Sequence, residues 1–327
     1  MFYKEILIIL IKLNKYKQYY LNNYKMSREI VKHWLNGRSE EEQYLQLIRD
    51  VLKNGSIENG RNGTTKVLVG NIMYFSLKDN TIPLLTTKKV AWKSCLRELL
   101  WFIRGETDNT ILQKQNVRIW NDNASRDFLD SRGLQHLEEN DLGPVYGFQW
   151  RHFNAPYKTC KDNYDGQGVD QLQYIVDQLK SQEGRASRRL LMSAWNPCQI
   201  DQMALPPCHV LIQFNVTEGN KLNCSLYQRS GDIGLGVPFN IASYSFLTHL
   251  IAKHCDLEAN EFIYHLGNAH IYDDHFESLE VQVEREPMNF PKLNINVKRE
   301  NIDNYSEDDF ELLDYNCHEP IKMQMRK

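Results

Sequence analysis

Leu205-Pro206-Pro207-Cys208-His209, followed within one hairpin by Tyr227-Gln228-Arg229-Ser230-Gly231-Asp232, is the stretch from which the rest of the chain is read. Two prolines force an extended entry and disfavour helix at the residue before each of them. Cys208 therefore opens a β-like run, His209-Val-Leu-Ile-Gln-Phe-Asn-Val216, at the edge of a core. Thr217-Glu-Gly-Asn-Lys221 reads as a turn, and Leu222-Asn-Cys-Ser-Leu-Tyr227 as the antiparallel return strand. That hairpin brings Arg229 back towards Cys208. A cation beside a thiol favours the thiolate, the reactive form, so Cys208 reads as a nucleophile.

Composition sets the frame. The 327 residues are 42% hydrophobic and 25% charged, with a formal net charge of −3. This is an ordinary soluble balance, and it makes no whole-chain case for nucleic acid as the main ligand. Any anion site must be a local cluster of arginines. Seven cysteines without a CxxC pair or zinc spacing suit a reduced, intracellular compartment. Residues 1–39 read as an N-terminal extension, expected to be disordered or weakly helical. Its apolar run Ile6-Leu-Ile-Ile-Leu-Ile11 is too short to span a bilayer, so no membrane association is expected.

From residue 40 to 327 no repeat, low-complexity tract or long linker divides the chain. One α+β domain is expected, a mixed β-sheet packed against helices. Tyr44, Leu45, Ile48, Val51 and Leu52 recur at helical spacing up to Gly55. Lys88 to Arg104 reads as a helix capped by Gly105, Asp122 to Asp170 as loop-rich, and Val169 to Ser181 as an amphipathic helix. Val67 to Leu77 and Leu190 to Trp195 read as strands. Ile241 to His254 reads as a helix with Asn240 at its N-cap. Phe262 to His265, Leu279 to Glu284 and Leu293 to Arg299 read as strands.

Glu98 is the most informative carboxylate. Its helical neighbours Ser94, Cys95, Trp101 and Phe102 include no base, whereas Arg97 shares a face with Lys93 and Arg104. A carboxyl on the apolar side has a raised pKa and exchanges protons near neutrality. The plainer alternative is a buried Glu paired with a distant Arg. Arg61, Arg188-Arg189 and Arg229 suit an anion such as phosphate, because guanidinium donates two parallel hydrogen bonds. Each taken alone could equally be solvated. Asn240 is a helix cap or a reader of an edge with one donor and one acceptor, such as a pyrimidine. His270 and Tyr272 are core-edge polar residues with sugar hydroxyls as possible partners. Trp120 and Tyr146 offer flat or hydroxyl-bearing surfaces.

Together these segments closely resemble thymidylate synthase. The resemblance runs from about Glu42 to Met325. It includes Pro83-Leu-Leu-Thr-Thr-Lys88, Glu98-Leu-Leu-Trp-Phe102, Ser125-Arg-Asp-Phe128, Asp141-Leu-Gly-Pro-Val-Tyr-Gly-Phe-Gln-Trp-Arg-His152, Tyr164-Asp-Gly-Gln-Gly-Val-Asp-Gln171 and Ala269-His-Ile-Tyr272. The resemblance implies reductive methylation of dUMP at uracil C5 with 5,10-methylenetetrahydrofolate as co-substrate, releasing dTMP and dihydrofolate, and no metal. It implies that Cys208 adds to uracil C6, that Glu98 manages proton transfers, and that Tyr146 and His209 tune the surrounding water. Arg61, Gln228, Arg229 and Ser230, with Arg188 and Arg189 from the partner of a homodimer, are implied to hold dUMP. Asn240 is implied to read the uracil and His270 and Tyr272 the ribose. Asp232 is implied to contact both substrate and folate, with Trp120, Asn123, Leu235, Gly236, Phe239 and Met325 on the folate side. A cytoplasmic location, with a nuclear one as the alternative, and secondary RNA binding belong to the same expectation.

The chain also departs from that pattern. After Arg61 it reads Asn62-Gly-Thr-Thr-Lys66 rather than Thr-Gly-Thr-Gly, Ala91 replaces a larger aromatic, and Asn268 replaces a frequent Asp. Arg326-Lys327 stand where small apolar residues are common at the end, and two cations there are expected to weaken closure over the folate. Two alternatives accompany the reading. A dCMP hydroxymethylase would be expected to carry Asp at position 240, and a non-catalytic RNA-binding homologue would not need the full catalytic set. A cysteine hydrolase using Cys208-His209 is disfavoured, because adjacent strand residues point to opposite faces.

Overall fold

The structure, a computed structural model, describes residues 28–60 and 62–326. Most of the extension expected over residues 1–39 lies outside the described residues. Its described part contains helix α1 (Arg28–Leu35), within a unit that ends at Arg38. Ser39–Lys327 form the second unit.

In the second unit, α2 (Glu42–Asn54) leads to the hairpin β1 (Ser56–Gly60) and β2 (Gly63–Ser76), then to α3 (Trp92–Ile103). Short helices α4 (Asn109–Lys114), α5 (Arg126–Ser131) and α6 (Tyr146–His152) precede α7 (Gln171–Leu179) and α8 (Gln182–Arg185). Strand β3 (Leu191–Ser193) is followed by the hairpin β4 (His209–Thr217) and β5 (Lys221–Asp232), helix α9 (Gly236–His254) and the long strand β6 (Glu258–Tyr272). The chain continues through α10 (Phe276–Val283), β7 (Lys292–Ile295) and β8 (Phe310–Leu313). Six strands form a mixed sheet in the order β1-β2-β6-β5-β4-β3. β5 and β6 run parallel across the α9 connection, and the other neighbours are antiparallel.

The hairpin forms as the sequence dictates, with Thr217 opposite Lys221 and Leu211 opposite Tyr227. Alternation along β5 sends Leu222, Cys224, Leu226 and Gln228 inward and leaves Tyr227 46% exposed on the other face. Helix α9 is buried on nearly every side, packed on β5, β6 and α3. Its N-terminal end and the C-terminal ends of β5 and β6 meet, so residues 228–240 and 266–272 share one end of the sheet.

Four expectations are corrected. The helix expected from Lys88 starts at Trp92. Thr86 and Thr87 are held extended because their amides and hydroxyls all donate to the buried Glu41 carboxylate, at 2.6 to 2.8 Å. Asn240 is not an N-cap: α9 begins at Gly236, with Pro238 in its first turn, where a missing N–H costs nothing. Leu279 to Glu284 is helical rather than a strand. Its alternating apolar pattern is misleading, since the helix buries Leu279 and Gln282 and leaves Val281 in solvent. Asn62 to Lys66 is mostly strand rather than loop, with Thr64 opposite Asn59 and Lys66 opposite Ile57.

Among the described residues the Glu41 carboxylate alone accepts from those four donors, so its loss strands two buried amides. Glu41→Ala is expected to lower stability by about 3 kcal/mol, read as a shift in the denaturant midpoint. An unchanged midpoint would mean that Thr86 and Thr87 are held extended by something else.

Candidate active site

Cys208 sits partly exposed at the entry to β4. Its N–H donates to the Tyr146 hydroxyl at 2.8 Å, and its carbonyl accepts from the Arg229 N–H at 2.9 Å. The two prolines do more than extend the chain. Their carbonyls hold the Arg229 guanidinium, Pro207 O at 2.8 Å from Nε and Pro206 O at 3.0 Å from Nη2, above the Trp195 ring. As expected, the Arg229 charge favours the thiolate, but burial opposes it. Burial pushes the Cys208 thiol up, and the Arg229 charge and the Tyr146 hydrogen bond offset only part of that.

Glu98 lies on the apolar face of α3, 8% exposed, as its helical neighbours imply. Among the described residues no arginine pairs with it. The Trp120 indole donates to its Oε1 at 2.7 Å. Burial pushes the Glu98 carboxyl up to about 7, and the indole hydrogen bond opposes the rise. Tyr146 joins the parts: its ring lies 5.9 Å from Trp120 and 5.0 Å from His209, centroid to centroid. His209 in turn meets Asn240, with Nε2 2.6 Å from Nδ2. Burial pushes the His209 imidazole down to about 3, so it is neutral.

Gln228 is buried, donating to Ser230 O at 2.8 Å and accepting from the Tyr264 hydroxyl at 2.7 Å. His270 and Tyr272 lie on β6 itself rather than after it, ring to edge at 5.3 Å. Asn268 serves in place of the acid: its Oδ1 lies 3.0 Å from His270 Nδ1, and burial lowers that imidazole's pKa. Asp232 Oδ1 accepts the Gly234 N–H at 2.8 Å and faces His275 Nδ1 at 3.6 Å. Lys88, buried, donates to the Gly234 carbonyl, and burial pushes its ammonium down to about 8 against the opposing Asp232 charge. Leu235, Gly236 and Phe239 continue from this turn into α9, and Asn123 is half-buried beside the Trp120 segment.

Not every expected residue is brought here. Arg188 and Arg189 are exposed just before the edge strand β3. Met325 is exposed in the C-terminal segment, flanked by Gln324, whose carbonyl lies 2.8 Å from His275 Nε2, and Arg326, which pairs with Asp274 at 3.0 Å. Arg61 lies outside the described residues. Lys88, Tyr264 and His275 were missed as site residues. Only Lys88 carries a local signal, as the first of the Lys88-Lys89 pair on the approach to α3. The other two are identified only by the pairing of β5 with β6 and by the turn that follows β6.

A family model described as thymidylate synthase matches residues 42–327. The chain belongs to the thymidylate synthase family. It is 52% identical over 291 residues to thymidylate synthase 1/2 of Encephalitozoon cuniculi, a match covering 88% of this chain and 98% of that protein. With thymidylate synthase of Saccharomyces cerevisiae it shares 50% identity over 296 residues, 88% of this chain and 97% of the yeast protein. The bifunctional dihydrofolate reductase-thymidylate synthase of Leishmania amazonensis is 53% identical over 288 residues, 88% of this chain but 55% of the relative. The chain therefore spans about half the length of the bifunctional relatives it matches. Thymidylate synthase membership agrees with the mixed sheet and its helices, and among the described residues no group of three or more His, Cys, Asp or Glu is placed to hold a metal ion.

The Glu98 environment gives a pH signature. Its folded pKa of about 7 lies above the ordinary 4.5, so the folded state binds the proton more tightly than the unfolded chain. The stability this confers is whole below the ordinary value and is lost as pH rises through the folded value. Glu98→Gln, neutral at every pH, is expected to match the wild type at pH 4 and exceed it by about 3 kcal/mol at pH 8 in denaturant unfolding. A difference that does not vary with pH would show that Glu98 is not held protonated.

Proposed function

We propose that this chain methylates dUMP at uracil C5, producing dTMP and dihydrofolate. The observation that carries the reading is the contact path through Tyr146, which links Cys208 to the Trp120–Glu98 pair on one side and to His209–Asn240 on the other. A thiol, a carboxyl that titrates near neutrality and a donor–acceptor amide are what nucleophilic activation of a pyrimidine needs. When the Cys208 thiol releases its proton to the surrounding water and its sulfur bonds to C6, the C5–C6 π pair moves towards C5 and O4. Asn240 accepts from N3–H and donates to O4, where charge gathers. Glu98 holds and releases a proton on the same side through ordered water, with Tyr146 and His209 shaping that water.

Residues 232–239 fit a flat, reduced pterin. A Cβ at Gly236 would stand 3.9 Å from both Asn240 Oδ1 and Asp232 Cβ, so the glycine leaves a cradle between two polar side chains. Asp232 would hold the pterin, with Trp120, Asn123, Leu235, Gly236, Phe239 and Met325 around it. When bound, 5,10-methylenetetrahydrofolate supplies the one-carbon unit and the hydride that reduces it. Arg61, Gln228, Arg229, Ser230, His270 and Tyr272 would hold the nucleotide. Asn240 favours uracil over cytosine, which leaves the dCMP hydroxymethylase alternative without support.

We also infer a homodimer formed through the exposed sheet face. Ile72, His265, Tyr227, Leu211 and Ser193 lie in one row across it, with Leu191 exposed beside them. Arg188 and Arg189 lie at the rim of this face, placed to reach the partner's nucleotide. Among the described residues no helix is long and apolar enough to cross a membrane. A cytoplasmic location with all seven cysteines unpaired accompanies the proposal.

Purified protein given dUMP and methylenetetrahydrofolate is expected to form dihydrofolate, and Cys208→Ser to lower kcat roughly 10³-fold or more. Glu98→Gln is expected to cost roughly 10² to 10⁴ in kcat. A folded protein that binds dUMP and never turns over would overturn the enzymatic reading and favour the RNA-binding homologue. Leu211→Asp is expected to yield monomers in sedimentation velocity and to abolish turnover with them.

A further inference from the structure

His209 and Asn240 hold a piece of information that their contact alone does not explain. The imidazole is neutral, so it carries a single proton on one nitrogen. Asn240 presents Nδ2 to His209 Nε2 at 2.6 Å, and an amide nitrogen only donates. Nε2 therefore accepts, and the ring proton belongs on Nδ1. Among the described residues, buried Nδ1 has no hydrogen-bond partner.

Two further buried polar atoms in the same condition lie on the adjoining rings: the Tyr244 hydroxyl and Trp150 Nε1. The Tyr244 ring stands edge-on to His209 at 5.3 Å, and Trp150 lies 6.5 Å beyond it. Tyr244 is 2% exposed and Trp150 1%. Each unpaired buried group costs about 1 to 3 kcal/mol, and such groups are commonly joined by a bound water with two to four polar partners. Two obligate donors, Nδ1–H and the indole N–H, together with one hydroxyl that both donates and accepts, match what one water can satisfy.

We propose that a water shared by Tyr244 and Trp150 accepts a hydrogen bond from His209 Nδ1–H, and that Tyr244, by accepting from that water, sets which way the Asn240 amide faces. With Nε2 an acceptor, the NH2 end of the amide lies beside His209 and its oxygen lies away. If the proton moved to Nε2, the amide would turn over and its donor–acceptor order would reverse. Uracil and cytosine differ by that same reversal, with O4 and N3–H in one and N4–H and N3 in the other. Tyr244 is thus a positioning residue for base selection, deep in α9 and acting only through His209. This specificity role rests on the proposal that dUMP is the substrate. The tautomer assignment does not.

The full-length protein carrying ¹⁵N-labelled histidine separates the two parts. Its His209 signals, assigned against His209→Gln, are expected to report the Nδ1–H tautomer, and Tyr244→Phe to shift them towards a mixture with Nε2–H. An Nε2–H signal in the wild type, or a Tyr244→Phe spectrum identical to it, would overturn the proposal. Titration with dUMP and dCMP is expected to show the ratio of their dissociation constants narrowing about tenfold in Tyr244→Phe. A ratio that stays constant while both affinities fall would reduce Tyr244 to packing. Trp150→Phe removes one donor to the water and is expected to narrow the ratio by a smaller factor, which tests the same network if Tyr244→Phe fails to fold. If neither nucleotide binds but Nδ1–H is seen, the dUMP reading fails and the tautomer assignment stands.

Discussion

Helix α6 lies against helix α3 because residue 147 has no side chain: a Cβ there would stand 2.5 Å from the Phe102 carbonyl oxygen. That approach fixes Tyr146, one residue earlier, with its ring 4.9 Å from Phe102. The Tyr146 hydroxyl then receives the Cys208 N–H, and its ring stands against Trp120 and His209. The Cys208 thiol, the Glu98 carboxyl and, through His209, the Asn240 amide are thus all located with respect to one ring. A shift of about 1 Å in reacting groups can cost about a hundredfold in rate, so a close backbone contact some distance from the chemistry sets its precision.

Burial acts in one direction on Cys208, Glu98 and His209. It raises the thiol of Cys208, raises the carboxyl of Glu98 and lowers the imidazole of His209, so each is driven towards its neutral form. Beside them the Arg229 guanidinium is turned onto two backbone carbonyls and an indole face. Proline matters here twice. It extends the chain into β4, and the Pro206 and Pro207 carbonyls accept from Arg229. Among the described residues no carboxylate pairs with Arg229, so an anionic ligand would meet it unneutralised.

Much of this was legible along the chain because the signals were local. The Pro-Pro entry, the turn at 217–221 and the alternation on either side specify a hairpin without reference to the rest of the molecule. Glu98 was readable because a helix fixes its neighbours, and none was basic. Helix α6 was not legible: Tyr146, Gly147, Phe148, Gln149 and Trp150 are all buried, so it has no polar face and no 3.6-residue period. Asn240 was placed one turn too early because Pro238 reads as a break, although a proline is tolerated in a first helical turn. His275 and Tyr264 enter the site only through tertiary pairing, which nothing within a few residues of either announces.

The C-terminal segment shows how exposure decides between competing contacts. Two cations at the end were expected to weaken closure, yet Arg326 meets Asp273 at 3.4 Å and Asp274 at 3.0 Å. These groups are 35%, 50% and 32% exposed, so the ion pairs are worth only a few tenths of a kcal/mol each. Two contacts nearer the core lie away from water. His275, fully buried, donates from Nε2 to the Gln324 carbonyl, and Met323 packs where only a glycine at 234 leaves room. Burial opposes the charge on His275, but Asp232 and that carbonyl outweigh it and raise its pKa. One imidazole therefore spans the last residues of the chain and the Asp232 carboxylate. The order of the segment depends on that shared ring more than on the charges at its tip.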